Sequence, residues 1–329
     1  MSFNTGLDRK GPGLLVRDIL KGEDEDIGAV LAEIAAVSPD IAVLQGIDFD
    51  HNGVVLDVLA DALRDHGLDL PHHFMRRPNT GTGTGFDLDK NGRLGEARDA
   101  QGYGTFSGQG GIGILSRFPI LEDTVGDYSD VLWKDVPGPS LPVIDGKPYF
   151  SAEVLDVLRL HTVGAWVVPI QTPDGPVQIW ASQAGPPVFD GPENRNGLRN
   201  AAEIRFWTDM AEAGSVPFVI AAGLNADPHD GDGSHAAIST LLASPNLQDP
   251  RPASDGAQQA ADAGHVTPPS QDTVDWPNSD TRPGNLRVDY VLPSTDLRVV
   301  DAGVHWPPDV PPETFGSRHR AVWVDVALD

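Results

Sequence analysis

Two loops of this chain place oxygen-bearing side chains at alternating positions ahead of a glycine: Asp48-x-Asp50-x-Asn52-Gly53 and Asp87-x-Asp89-x-Asn91-Gly92. That pattern suits Ca2+, a hard cation that takes several oxygen ligands around a tight turn. The twelfth loop positions are Leu59 and Arg98, so an EF-hand is excluded and an ion would need other ligands. The second loop, with Asp87, Asp89 and Asn91, is the one expected to hold a structural calcium; the opposing reading is an Asx-rich turn closed on its own backbone. Asp227, Asp230 and Asp232 form another acidic loop open to the same two readings. Nucleophiles are scarce. There is no Cys, which removes disulfides, thiolate metal sites and cysteine catalysis. Ser182 lacks a Gly-x-Ser-x-Gly elbow, and Ser317 opens the run Ser317-Arg318-His319, which sets a hydroxyl, a guanidinium and an imidazole side by side near the end of the chain.

The elements that must position these groups alternate between helix and strand. Residues 23–37 carry Ile27, Val30, Leu31, Ile34 and Ala35 at helical spacing, and the apolar run Ile41-Ala42-Val43-Leu44 follows as a buried strand. A second helix is expected over about 53–66. Residues 78–111 are rich in Gly, Thr and Asp without periodicity and form a long loop before the sheet resumes at Gly113-Ile114-Leu115. Residues 152–160 read as helical, and Trp166–Gln171 with Val177–Ser182 read as a hairpin around Thr172-Pro173-Asp174-Gly175. Helices over 197–213 and 236–244 flank a strand at Pro217–Ala221. Residues 250–283, rich in Pro, Asp and Ala, form an irregular excursion held only by its ends, and 286–292 with 320–327 close the chain as paired strands.

One large α/β domain over residues 1–329 accounts for this order, since no linker divides it. The 23 basic and 48 acidic residues give a formal charge of −25. Such a field repels a phosphate backbone at long range and disfavours nucleic acid as a partner. No apolar stretch approaches the roughly 20 residues of a membrane span. From the opening run Met1-Ser2-Phe3-Asn4 no signal peptide is expected, and the oligomeric state is not encoded in any pattern we recognise.

Five blocks carry a resemblance that runs from Asn4 to Val326: Asn79-Thr80-Gly81, Gly102-Tyr103-Gly104, Gly113 through Ile120, Pro186 through Glu193, and Asn285 through Leu292. In these blocks the chain resembles the endonuclease/exonuclease/phosphatase superfamily, most closely its secreted bacterial branch. The resemblance implies two stacked mixed β-sheets flanked by helices, a four-layer sandwich, and hydrolysis of phosphoesters with a divalent metal at one end. It also implies an extracellular or periplasmic location if a leader was removed, and a cytoplasmic one otherwise. In the family an Asn ends the first core strand; only three residues precede Asn4 here, so either a leader and part of that strand are missing from this sequence or the first strand is short.

By that resemblance, Asn4 matches an Asn near the metal, Asn225 a phosphate-contacting Asn, Asp289 the Asp that orients the terminal His, and His319 that His. The metal-binding Glu expected after Leu44-Gln45 is Gly46, the base Asp expected before Leu224-Asn225 is Gly223, and the Asp expected before His319 is Arg318. Gln183 stands where the branch keeps a His, and Val163-Gly164-Ala165-Trp166-Val167 replaces a polar run. Gly46, Gly223, Val163, Ala165 and Val167 are smaller or more apolar than the family pattern, so the mouth should be roomier, drier and less anionic, with no cofactor required. Asp289 and His319 then form either an acid/base dyad or a relic hydrogen bond tying the last two strands. Arg318 with Asn4, Asn225 and Gln183 either clamps an anion or pairs with surplus acids, and His161 either faces the same cavity or lies in the core. The function expected is binding of a small organic ligand in a repurposed pocket, with or without metal-independent chemistry at His319. The alternatives are a non-catalytic binding or scaffold protein and a phosphoesterase with displaced metal ligands.

Overall fold

A computed structural model describes residues 1–328 apart from Pro139 and Ser215. In chain order the first half runs β1 (Ser2–Asn4), α1 (Leu14–Lys21), α2 (Glu25–Val37), β2 (Ile41–Ile47), α3 (Val54–Asp65), β3 (His72–Phe74), β4 (Gly111–Ser116), β5 (Gly126–Asp127), the ribbon β6 (Val143–Ile144) and β7 (Lys147–Pro148), and α4 (Ala152–Leu155). The second half runs β8 (Gly164–Thr172), β9 (Gly175–Gln183), α5 (Arg195–Ala213), β10 (Phe218–Gly223), α6 (His235–Leu242), α7 (Asp255–Gln259), the ribbon β11 (Asn278–Ser279) and β12 (Arg282–Pro283), β13 (Asp289–Pro293), β14 (Leu297–Val304) and β15 (Val322–Leu328).

Two mixed sheets form the centre, in strand orders β14-β15-β1-β2-β4-β3 and β13-β10-β9-β8-β5. Strand periodicity sorts their side chains. Along β9, Val177, Ile179 and Ala181 meet Val43, Ile112 and Ile114 of the first sheet between the layers. The alternate residue Trp180, with Phe218 and Ile220 of β10, packs outward on Ile204 and Trp207 of α5. On the far side, Ala42 and Leu44 of β2 pack under Ile27, Val30 and Ile34 of α2 and Leu59 and Leu63 of α3. The result is the helix–sheet–sheet–helix sandwich that the sequence implied. No helix among the described residues is long and apolar enough to cross a membrane.

Four expectations need correction. The segment 152–160 keeps only the four-residue α4 as α-helix, and α1 lies where no helix was expected. The segments 286–292 and 320–327 do not pair with each other: β13 bonds to β10 in one sheet, while β15 bonds to β1 and to the intervening β14 in the other. The excursion 250–283 is not held only by its ends. Buried Asp227 accepts from the Thr267 hydroxyl, the Gly256 N–H donates to the Trp306 carbonyl, and Val274 bridges to both Leu286 and His319. Polar anchors and one inserted strand-like bond pair replace the apolar run that a regular strand would have shown. The first strand is short, three residues, yet it sits mid-sheet between β2 and β15.

Glu33 of α2 is 4% exposed, and its Oε1 accepts the Ala321 N–H at 2.8 Å while Oε2 has no partner. Burial pushes its carboxyl up from 4.5 to about 7, against the backbone bond and Arg320, which pull it down. An acid that holds its proton more tightly when folded contributes fully below its unfolded value and loses that contribution as pH rises through the folded value. Stability should therefore fall between about pH 4.5 and about pH 7. Glu33→Gln keeps the acceptor for Ala321 and removes the charge; it should raise the stability at about pH 8 by on the order of 2 kcal/mol and flatten that slope, as read by chemical denaturation across pH.

Candidate functional site

The inner-face periodicity that places Val177, Ile179 and Ala181 between the sheets continues to Gln183 at the end of β9. Register then sets Gly223 of β10 beside Gln183 on one flank and beside Asp289 of β13 on the other. Opposite them, Asn4 ends β1 and pairs with Gln45 of β2. The two sheets thus bring Asn4, Gly46, Gln183, Gly223, Asp289 and His319 to one end of the sandwich.

Asp289 is buried, and its Oδ2 lies 2.7 Å from His319 Nδ1 and accepts the Thr273 hydroxyl at 3.0 Å. With Nδ1 donating to the carboxylate, the free lone pair of His319 is on Nε2, which lies 3.5 Å from Asn4 Nδ2. Trp276 packs edge-on against the imidazole. The Ser317 hydroxyl donates to the Asn4 carbonyl and accepts the His319 N–H, so it shapes the turn. Ser182 points to the helix side of its sheet, where it accepts the Trp207 indole N–H.

The two glycines are not vacancies. Gly46 has φ +75 at a bulge in β2, and a Cβ there would come within 2.9 Å of the Gly6 nitrogen and 3.1 Å of Asn4 Oδ1. At Gly223 a Cβ would overlap Gln183 Oε1 and stand 3.3 Å from Asp289 Oδ1. Gln183 Oε1 and Asp289 Oδ1 are both buried without a hydrogen-bond partner and flank the same glycine face. The expected extra room at these positions is therefore absent, because neighbouring side chains and backbone have closed in.

Room lies further along. A cavity of about 590 Å³ runs from Asn4, Gly46 and Gln183, past Val163, to Leu88, Trp133 and Phe150. Asn225, with φ +52, stands beside its wall and donates to the Ala184 carbonyl at 2.8 Å. The remaining expected ligand contacts fall elsewhere. Arg318 is exposed and its guanidinium donates to the Asp275 carbonyl, outside the cavity lining. Ala165 and Val167 face α5 in the outer core. His161 is buried against Phe206 and Trp207, and desolvation, helped by Arg199, pushes its imidazole down to about 3.

Sequence reasoning missed Arg98, Arg195 and Arg199 on the cavity wall and the buried Arg320, whose guanidinium stacks on Phe315 and Trp306 and donates to the Ser317 and His319 carbonyls. Arg195 and Arg199 had a readable signal, two cations one turn apart at the start of a helix without an acid in its first turn. Arg320 had none beyond its adjacency to His319.

The acidic loops are self-closing. Asp50 accepts the N–H groups of Asn52, Val54 and Val55 and caps α3. Asp87 and Asp89 accept the Asn91 N–H, and Asp99 accepts those of Leu88 and Glu96. Carboxylate oxygens of Asp87, Asp89 and Asp99 lie within 4.8 Å of one another, so Asp99 rather than Asn91 completes that group.

The whole-chain pattern has counterparts. A model of the endonuclease/exonuclease/phosphatase family matches residues 1–319. Among solved structures, an endonuclease/exonuclease/phosphatase from Beutenbergia cavernae is similar at 19% identity and a TM-score of 0.57, over 99% of this chain and 70% of that one. A family protein from Bacteroides thetaiotaomicron is similar at 15% identity and a TM-score of 0.52, over 100% and 96%. Comparison with curated proteins gives no match.

The overlap at position 223 generates a test. The overlapping atom is the end of a flexible side chain that borders the cavity, so Gly223→Ala should turn the Gln183 carboxamide aside at a cost of about 1 kcal/mol or less. Gln183→Ala should remove that cost, so a double-mutant cycle by urea denaturation should give a coupling about equal to the single-mutant loss; a coupling near zero would show that the two positions do not compete for the same space.

Proposed function

Because this chain belongs to the endonuclease/exonuclease/phosphatase family, a fold of phosphoesterases, we propose that it is a member whose former metal centre has become the inner end of a pocket for a small organic ligand. The observation that carries the reading is the Gln183 carboxamide, which occupies the space a side chain at 223 would need. Metal-assisted phosphoester hydrolysis draws on carboxylates to hold a hard dication and on a base to activate water. Here Asp289 commits Oδ2 to His319 and Thr273 and keeps a single unpartnered oxygen, Oδ1, beside the Gln183 carboxamide, and Asp8 on the cavity wall accepts from Gln109, so no set of carboxylates converges there. Among the described residues, the one convergent group of three or more potential metal-ligating side chains is Asp87, Asp89 and Asp99, on another loop. The donors at Asn4, Gln183 and Asp289 do not fit a resident Mg2+, and no step is derived through one.

The cavity favours a binding role over a filled-in scaffold. Its inner end presents the Asn4 carboxamide, backed by His319 Nε2. His319, oriented by Asp289, lies one side chain behind Asn4 and outside the cavity lining, so acid/base work on a ligand held against Asn4 would pass through or displace that carboxamide.

Assay of bis(p-nitrophenyl) phosphate with Mg2+ or Mn2+ tests the reading. The wild-type protein and His319→Ala should show the same background rate, and neither metal should raise the wild-type melting temperature through this site. Metal-dependent hydrolysis that disappears in His319→Ala would overturn it in favour of a phosphoesterase with displaced ligands.

A further inference from the structure

The outer part of the cavity inverts the charge of the molecule. The chain carries −25, yet the wall presents Arg98, Arg195 and Arg199 against the single acid Asp8. Arg98 is exposed and has no hydrogen-bond or ion-pair partner among the described residues. Arg195 is the first residue of the 19-residue α5, and its Nε is buried without a hydrogen-bond partner, 3.8 Å from Glu193. Arg199 spends Nε and Nη2 on the carbonyls of Leu160 and Arg159, and burial lowers its guanidinium to about 10. Cations in the first turns of a helix oppose its dipole, and two of them one turn apart repel each other. Glu193 beside Arg195 and Glu203 beside Arg199 offset part of that charge from behind the wall, while Arg98 has no such partner among the described residues, so the cavity face stays cationic.

The aromatic groups point to the body of the same ligand. Trp133, only 1% exposed, lines the cavity, and its indole N–H has no acceptor. Two rings on the cavity wall are open to solvent, Tyr103 at 69% and Phe189 at 75%. Phe189 has φ +70, a left-handed conformation that a bulky residue rarely adopts. Strain of that kind persists where the surroundings fix it, often at ligand clamps. Exposed rings beside guanidinium groups suit a flat unsaturated body that carries negative charge.

We propose that the outer cavity binds an aromatic organic acid, its ring against Tyr103 and Phe189 and its carboxylate or phosphate on the arginines of α5 and Arg98. The inference rests on the pocket reading above and adds the ligand class and its orientation: the acidic group lies at the helix end of the cavity, away from His319.

Titration calorimetry of the full chain with 1-naphthoate, 1-naphthyl phosphate and the neutral 1-naphthylmethanol tests it. One or both acids should bind, with the alcohol about tenfold or more weaker, and the tighter of the two identifies carboxylate or phosphate as the preferred group. Arg98→Gln and Arg195→Gln should each weaken the acids and leave the alcohol unchanged. Phe189→Gly, which suits positive φ, should weaken all three while keeping or raising the melting temperature. Equal binding of the alcohol, or acid binding indifferent to both arginine substitutions, would overturn the anionic class while the pocket reading stands. Absence of binding by all three compounds would overturn this inference, and the metal assay separately decides the reading beneath it.

Discussion

The segment Thr273–Asp275 is what joins the two sheets at the end where the site lies. Its backbone bonds on one side to the Leu286 carbonyl, ahead of β13, and on the other receives the Arg320 N–H and donates to the Arg318 carbonyl, ahead of β15. The Thr273 hydroxyl accepts the N–H groups of Val288 and Asp289 and donates to the Asp289 carboxylate. Between the layers the sheets meet through apolar side chains, which fix a spacing but leave sliding cheap, and at the far end the chain leaving β4 pins them again where Ile120 bridges to Ile170 of β8. Directional bonds on both flanks of one segment fix the offset as well, and that offset sets Asp289 of one sheet 2.7 Å from His319 of the other.

A comparable buried polar set holds the opposite wall. Glu203 of α5 accepts the N–H groups of Thr162 and Gly185, and Asn200 donates to the carbonyls of Gly185 and Leu224. Arg199 adds the carbonyls of Leu160 and Arg159. One helix face therefore ties three loop segments, and the cavity runs between this rigid wall and the Asn4 end. Burial raises Glu203 to about 7 and lowers Arg199 to about 10, the cost of keeping both groups out of water.

The layers were legible in the sequence because helices and strands repeat their apolar residues at different periods, as in α2, α3 and β9, while β8 announces itself as an unbroken apolar run. The closing strands were misread as partners because both are apolar, and strand pairing depends on what lies between them. Thr273–Asp275 has no apolar run to announce it. At the site, Asp289, His319 and Gln183 could be placed by strand ends and by resemblance. Arg318 could not: neighbours in an extended turn project to opposite sides, so a residue next to a buried His is as often outside as in. Arg195 and Arg199 share one helix and could have been paired by spacing, but Arg98 comes from a loop far away in the chain, and only folding brings it to the same cavity wall.

Gly46 limits more than local packing. Its φ of +75, the bulge around it and the Gly6 nitrogen 2.9 Å from where a Cβ would stand mean that any side chain placed there would be strained and would crowd the turn after β1. The turn at residue 6, itself at φ +61, would have to move with it. Position 46 thus couples the bulge of β2 to the turn that follows β1, and a change at either is felt at the Asn4 carboxamide, which accepts the Gly6 N–H.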